Sequence, residues 1–229
     1  MWQGKNKAIT FSFDDGVEQD IRAIEILNKY GLKATFNLNS GHLGKKITHG
    51  NGVTIGRVSP DIVKTLYKGH EVAVHTITHP NLTGLTEEEV IYQVEEDRKT
   101  LSRLCGYEVI GMAYPCGGVN NDDRVAKIIK ENTGVKYSRT ITSTENFDLQ
   151  ENLYRFNPSV CYCRKDKLFE LGEKFIDLRT DTPKLFYIWG HTYEMDEDRI
   201  TWNDFENFCK LISNKNDIFY GTNKEGLFY

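Results

Sequence analysis

Lys7-Ala8-Ile9-Thr10-Phe11-Ser12-Phe13 runs straight into Asp14-Asp15-Gly16. Apolar and small polar residues alternate through the first seven positions and β-formers dominate, which is the pattern of a strand. The carboxylate pair and the glycine end it. Val17 to Tyr30 follows with Ile21, Ile24 and Leu27 at helical spacing, and Gly31 is suited to stop that helix. The same strand-then-helix unit recurs downstream. Lys33 to Leu38 reads as a strand, Pro60 to Lys68 as a helix with proline at its start and Gly69 at its end, and Glu71 to Val74 as a strand. Thr86-Glu87-Glu88-Glu89 resembles a capping box at the head of a long helix. Strands are predicted at Val109 to Tyr114, Lys136 to Arg139, Leu185 to Trp189 and Asp217 to Tyr220, with Tyr154 to Phe156 a further candidate. Helices are predicted at Asp122 to Glu131, Lys165 to Leu178 and Trp202 to Ser213.

Alternating strands and helices imply a parallel sheet covered by helices. With seven or eight strands, a closed α/β barrel is expected in preference to an open sheet. No repeat or low-complexity linker divides the chain, so residues 1–229 are read as one domain. In such barrels the functional residues gather where strands end. Asp14 and Asp15 end the first strand, and His75-Thr76-Ile77-Thr78-His79 follows the third.

Bulk properties narrow the function classes. The chain has 229 residues, 27% charged and 39% hydrophobic, with a net charge of −4. It has no basic surplus to displace the counterions of a nucleic-acid backbone, so nucleic acid is not expected as a partner. No apolar run has the length of a membrane span. The polar start Met1-Trp2-Gln3-Gly4-Lys5-Asn6-Lys7 lacks an apolar signal core. That reads as a cytoplasmic chain, or as an exported one whose signal has been removed. The cysteines, Cys105, Cys116, Cys161, Cys163 and Cys209, are odd in number and without framework spacing, so free thiols in a reducing compartment are expected. In Cys161-Tyr162-Cys163 the sulfurs are too close in sequence for usual zinc spacing, and the pair is assigned to a strand or the core.

One carboxylate and two imidazoles make a three-ligand set for a divalent cation, with a position left for water. The second carboxylate is then free to act as a base. Adjacent residues on a strand point to opposite sides, so only one of Asp14 and Asp15 coordinates easily if the strand stays regular. Pro80 disfavours a helical His79, which places the histidine pair on a turn. An Asp-Asp-Gly turn or a His-x3-His pair is unremarkable alone; both at strand ends of one barrel are not. His42, His49 and His70 lack such context and read as solvated or packed.

At these residues the chain resembles the polysaccharide deacetylases, the NodB-homology enzymes of carbohydrate esterase family 4. Thr10 to Gly16 resembles their T-F-D-D-G motif, and His75 to Pro80 their H-[ST]-x-x-H-P motif. Ala113-Tyr114-Pro115-Cys116-Gly117 resembles the third motif, R-x-P-[YF]-G, and Trp189-Gly190-His191 stands at the late leucine-histidine motif. The resemblance runs from about Lys7 to Tyr220. It implies a distorted (β/α) barrel that removes N-acetyl groups from the amino sugars of a glycan. It implies Asp15, His75 and His79 as ligands of one divalent metal, Asp14 as the base on water, and His191 as the acid for the departing amine. It also implies the backbone N–H at Cys116 as a donor to the oxyanion. Zinc suits the donor set best; cobalt, nickel, manganese and iron fit it too.

Three departures stand out. The arginine of the third motif, which pairs with the base in the family, is Ala113 here; Arg139 is the expected substitute. In the family an Asp and a Trp support the acid histidine; Asp148, Asp196 and Glu194 are the candidates here, with Asp196 and Glu194 ranked low because charges just past a strand end are usually solvated. Cys116 replaces an aromatic residue, so Tyr114, Pro115 and Trp189 are the expected walls of the substrate groove, although Trp189 fits an apolar strand core better than a sugar platform. A hydrolase of a small non-sugar amide or imide, and a catalytically silent glycan-binding protein, are the competing readings.

Overall fold

The computed structural model describes residues 1–48, 54–197 and 200–228. Its strands are β1 (Lys7–Asp15), β2 (Ala34–Leu38), β3 (Lys46–Thr48), β4 (Thr54–Gly56), β5 (Glu71–Val74), β6 (Gly111–Ala113), β7 (Tyr137–Arg139), β8 (Val160–Cys161), β9 (Lys184–Gly190) and β10 (Ile218–Tyr220). Its helices are α1 (Asp20–Lys29), α2 (Val63–Leu66), α3 (Glu87–Ile91), α4 (Asp97–Cys105), α5 (Asp123–Asn132), α6 (Lys165–Asp177), α7 (Trp202–Ile212) and α8 (Asn223–Leu227).

The main sheet is parallel in the order β7-β6-β5-β2-β1-β9-β8. Strand β1 shares one edge between two neighbours, β10 along Lys7–Ile9 and β2 along Phe11–Asp15. The gap between β7 and β8 is bridged by one stretch of chain. Phe156 pairs in parallel with Arg139, and the same stretch continues into β8 beside β9. The ring is thus a distorted (β/α) barrel, as the alternation predicted. Tyr154 to Phe156 is not a regular strand: Leu153–Arg155 is a 3-10 turn and only Phe156 joins the ring.

Side-chain alternation along β1 divides the interior in two. Ile9, Phe11 and Phe13 face outward into the layer under the helices, where Phe11 meets Phe205 and Phe208 of α7 edge-on. Thr10, Ser12 and Asp14 face into the barrel. There the lining is polar, and side chains pair with one another along it. Asn223 links Thr10 to Ser12, and Asn37 links Ser12 to Asp14. Helix α8 closes the floor, where Glu71 accepts from the Thr35 and Tyr137 hydroxyls and the Lys224 N–H. Burying polar groups is tolerated only with partners, and this ladder supplies them from the floor up to the strand ends.

Several local expectations shift. The capping box at Thr86 forms in full, with Glu89, but the helix breaks into a π turn at Tyr92–Glu96 before α4 resumes. That turn leaves the Gln93 carbonyl to accept from Ile77 in the histidine loop. Helix α1 starts at Asp20, later than predicted from Val17. The amides at its head are used elsewhere: Glu18 N–H donates to Gly56, and Val17 bridges Arg57. Both partners lie at the end of the β3–β4 hairpin, an antiparallel excursion whose strands are three residues long with one isoleucine each, too short a pattern to reveal it.

The cysteine expectation is corrected in part. Cys161 and Cys163 form a disulfide, their Cα atoms 5.3 Å apart across the turn at Tyr162, within ordinary bridging range. Cys105, Cys116 and Cys209 are free thiols. Among the described residues no helix is long and apolar enough to cross a membrane.

Candidate active site

Asp14 and Asp15 close β1 and do not point to opposite faces as a regular strand would require. Asp15 has φ 85° and Gly16 φ 64°, so the chain turns at once and both carboxylates line one cavity. Gly16 has no room for a side chain, because a Cβ there would fall 2.9 Å from Leu38 Cγ. The cavity, about 190 Å³, is also lined by His75, His79, Tyr114, Cys116, Gly117, Ile141, Trp189, His191 and Tyr193.

The histidine loop is held from behind. Asn39 donates to the carbonyls of His75 and Thr76. Asp97, wholly buried on α4, accepts from the Ser40 and His75 amides. Thr76 and His79 take positive φ, and the Thr76 hydroxyl accepts from the His79 N–H. His75 Nδ1 lies 2.9 Å from the Ala113 carbonyl, so it carries the ring proton and Nε2 presents its lone pair to the cavity. Burial pushes the His75 imidazole below its ordinary value, and burial together with His75 brings His79 down to about 4. Both rings are therefore neutral at neutral pH, the form that binds metal.

Asp15 divides its oxygens. Oδ1 lies 3.8 Å from His75 Nε2 and 3.6 Å from His79 Nε2, while Oδ2 lies 3.2 Å from Arg57 Nη1. Oδ1 is buried and has no hydrogen-bond partner among the described residues. Burial alone would raise this carboxyl, but the opposing charges around it, His191 and Arg57 foremost, outweigh it and hold it well below the usual carboxylate range. An orphaned carboxylate oxygen and two neutral imidazole nitrogens, all within 4.8 Å of one another, fit a divalent cation.

Asp14 sits beside this group and is bound differently. Its Oδ2 is 4.0 Å from His75 Nε2. Arg139 Nη2 donates to both of its oxygens at 2.5 Å, and Asn37 Nδ2 to Oδ1 at 2.8 Å. Arg139 is fully buried, donates from Nη1 to the Thr140 carbonyl and lies 4.6 Å over the Trp189 ring. In the sheet its cross-strand neighbour is Ala113. Trp189 is therefore not a core residue: it is partly exposed, covers the guanidinium and lines the cavity.

His191 follows β9 directly and lines the same cavity as the carboxylates. Its own N–H donates to Glu194 Oε2, and its Nδ1 lies 3.7 Å from that oxygen, an ion-pair contact too long for a hydrogen bond. Burial works against its charging, but Glu194, Asp15 and Asp14 prevail and raise it to about 9. Glu194 is 6% exposed, so the expectation of a solvated charge is corrected: the 3-10 turn Thr192–Met195 folds it back under His191. Tyr162 donates to the His191 carbonyl, and only glycine at position 190 leaves space for its ring. Asp196 stays at the surface with Trp202 and Gln19, and Asp148 with Lys184.

The remaining candidates separate. Cys116 lines the cavity half-buried, its Sγ 3.3 Å from the His79 carbonyl. Tyr114 touches the cavity but is 1% exposed, with its hydroxyl tied to the Tyr154 carbonyl. Pro115 is buried and does not line it, which corrects its assignment as a wall. His70 is a packed residue whose Nδ1 accepts from Ala34, as expected, and His49 lies outside the described residues. His42 is partly buried and is not among the cavity-lining residues, and burial, then Arg57 and His79, lowers its ionisation. Arg57 was missed because it lies on the excursion between β2 and α2, far in sequence from either motif.

A polysaccharide deacetylase family profile matches residues 3–137. A peptidoglycan-N-acetylglucosamine deacetylase from Listeria monocytogenes is 28% identical over 144 residues, 62% of this chain and 27% of the relative. A chitooligosaccharide deacetylase from Rhizobium leguminosarum bv. trifolii is 27% identical over 120 residues, 51% of this chain and 50% of the relative. The chain thus spans from about a quarter to half of the length of these relatives. Among solved structures, the carbohydrate esterase family 4 domain of a multidomain xylanase from the hindgut metagenome of Trinervitermes trinervoides superposes with a TM-score of 0.61. That match covers 96% of this chain and 89% of the other at 16% identity, and so speaks to the fold.

Proposed function

Since the chain belongs to the polysaccharide deacetylase family, we propose that it hydrolyses the N-acetyl group of amino sugars in a glycan, with a divalent metal held by Asp15, His75 and His79. One observation carries this reading. Three neutral-or-anionic donors converge beside a second carboxylate that is separately paired with Arg139, and across the same cavity stands a histidine raised to about 9.

An amide is a weak electrophile and an amine a poor leaving group, so both ends need help. When bound, the cation supplies Lewis-acid polarisation of the acyl oxygen and makes water easier to deprotonate. Asp14 takes the proton from the attacking water; Arg139 and Asn37 hold its two oxygens and fix its aim. The backbone N–H of Cys116 donates to the oxyanion as the carbonyl becomes tetrahedral, a role that does not depend on the side chain. His191, protonated at neutral pH and backed by Glu194, gives its proton to the departing nitrogen. Trp189 and Tyr193 flank His191 at ring-centre distances of 5.9 and 5.1 Å and form the aromatic side of the cavity, where a sugar ring would rest. The substrate class is an N-acetylated glycan of the peptidoglycan or chitooligosaccharide kind, by the names of the relatives. Zinc is the proposed ion.

The test is acetate release from N-acetylglucosamine oligomers by protein loaded with zinc, cobalt, nickel, manganese or iron, beside a panel of non-sugar amides and imides. Acetate from the sugars supports the reading. Release from only the non-sugar panel moves the function to small-amide hydrolysis, and binding of oligomers without release moves it to a silent glycan-binding protein.

A further inference from the structure

Arg57 is a buried cation beside the candidate metal ligand, and no step assigned above uses it. It is 4% exposed. Its Nη1 lies 3.2 Å from Asp15 Oδ2 and donates to the Asp15 carbonyl at 3.3 Å. Its backbone is pinned as well. Arg57 N–H donates to Lys45, Val58 N–H to Gly16, Glu18 N–H to Gly56, and Val17 bridges Arg57. The β3–β4 hairpin is thereby stitched to the turn that carries Asp15, and the guanidinium has little freedom to withdraw.

A carboxylate can ligate with one oxygen or with two. Here Oδ1 faces His75 and His79 without a partner, and Oδ2 is engaged by a cation. We propose that Arg57 is a positioning residue that reserves Asp15 Oδ2, so that Asp15 binds the metal through Oδ1 alone and the ion keeps an open position for water and substrate. This rests on the assignment of Asp15, His75 and His79 as ligands. Two consequences follow from charge. A fixed cation close to the ion weakens metal affinity, since like charges in a poorly solvated site repel. It also draws electron density from the ligand oxygen and keeps the ion a stronger Lewis acid. Arg57 thus exchanges tight binding for reactivity.

The experiment is a cobalt titration of the whole chain, read by the visible absorption band and by competition with a chromophoric chelator, in wild type, Arg57→Gln, Arg57→Lys and Asp15→Ala, with circular dichroism to score folding. Arg57→Gln is expected to bind cobalt tighter, on the order of tenfold or more. Its visible band should weaken as Asp15 supplies a second oxygen, and kcat should fall. Arg57→Lys, which keeps the charge, is expected to stay near wild-type affinity. A merely structural arginine would lower stability and weaken or leave unchanged the binding of cobalt by the folded protein. Unchanged band and affinity in folded Arg57→Gln, or weaker affinity, overturns the proposal. Should Arg57→Gln fail to fold, loss of affinity in folded Arg57→Lys does the same, and retained affinity there supports it. If wild type binds no cobalt, or Asp15→Ala binds it as wild type does, the ligand assignment fails first and the proposal with it.

Discussion

Arg139 reaches Asp14 from the strand beside the one that carries Ala113, and in the sheet Ala113 and Arg139 are cross-strand neighbours. The proposed reading is that this guanidinium, at the same height on the next strand, stands in for the arginine that the third motif would place at position 113. Met112 packs in the outer core, so Ala113 faces the barrel interior, where its small side chain leaves the lane to Arg139. Arg139→Ala strands a buried carboxylate and is expected to cost about 3–5 kcal/mol of stability. Activity should fall with it. Adding Ala113→Arg to that variant is expected to restore part of both, read by thermal unfolding and acetate release. No recovery in a folded double variant would falsify the substitution.

Asp14 and Asp15 are neighbours with different partners, Arg139 and Asn37 for the first and Arg57 for the second, and the proposal gives them separate tasks. Asp14→Asn is expected to bind metal as wild type does and to lose about 10²–10⁴ in kcat. His79→Ala is expected to lose both metal and activity. Metal content after dialysis, measured beside kcat, separates them. Equal metal loss in the two variants would merge their roles.

Under the proposed mechanism Glu194 is expected to set the alkaline limb of activity. With His191 raised to about 9 in the metal-free protein, partly by Glu194, Glu194→Gln should lower that value toward the ordinary 6.5. The bound cation offsets Asp15, so the loaded enzyme's limb lies below 9, and Glu194→Gln should move it lower still. The stability linkage has the same sign. A histidine whose folded value is raised contributes stability that is complete below about 6.5 and is lost as pH rises toward 9. The measurement is kcat/KM against pH together with an NMR titration of His191. An unmoved limb would show that Glu194 does not support the acid.

Asp20 lies under the site, fully buried, taking hydroxyl bonds from Thr192 and Tyr67. Burial raises its carboxyl to about 7. Because the folded value exceeds the unfolded one, the neutral acid stabilises the fold. That contribution is complete below about 4 and fades as pH rises through about 7. Asp20→Asn should flatten the stability–pH curve over this window, by an amount on the order of a few kcal/mol. A denaturant series across the window checks it; an unchanged slope would assign the pH dependence elsewhere.

Chelation should remove activity and lower the melting temperature, and zinc should restore both. Saturating metal at about 100 times Kd is worth roughly 2.7 kcal/mol. Calorimetry with and without the ion reads this directly.

The alternation of β1, the helix caps at Thr86 and Gly31, and the two motifs were enough to predict a parallel barrel with Asp14, Asp15, His75 and His79 at its rim, because local periodicity and turn chemistry are written in neighbouring residues; the family resemblance added His191. Tertiary structure alone decided which groups stand behind them. Arg57 comes from an excursion whose apolar pattern is too short to read, Glu194 from a turn that folds a charge inward, and Arg139 from a neighbouring strand end, where sequence offered a candidate but no distance. The turn at Asp15 likewise overrode strand alternation, so both carboxylates face one cavity. Counter-charges act through space, and the spacing of residues along a chain does not encode which strand ends meet when the sheet curls closed.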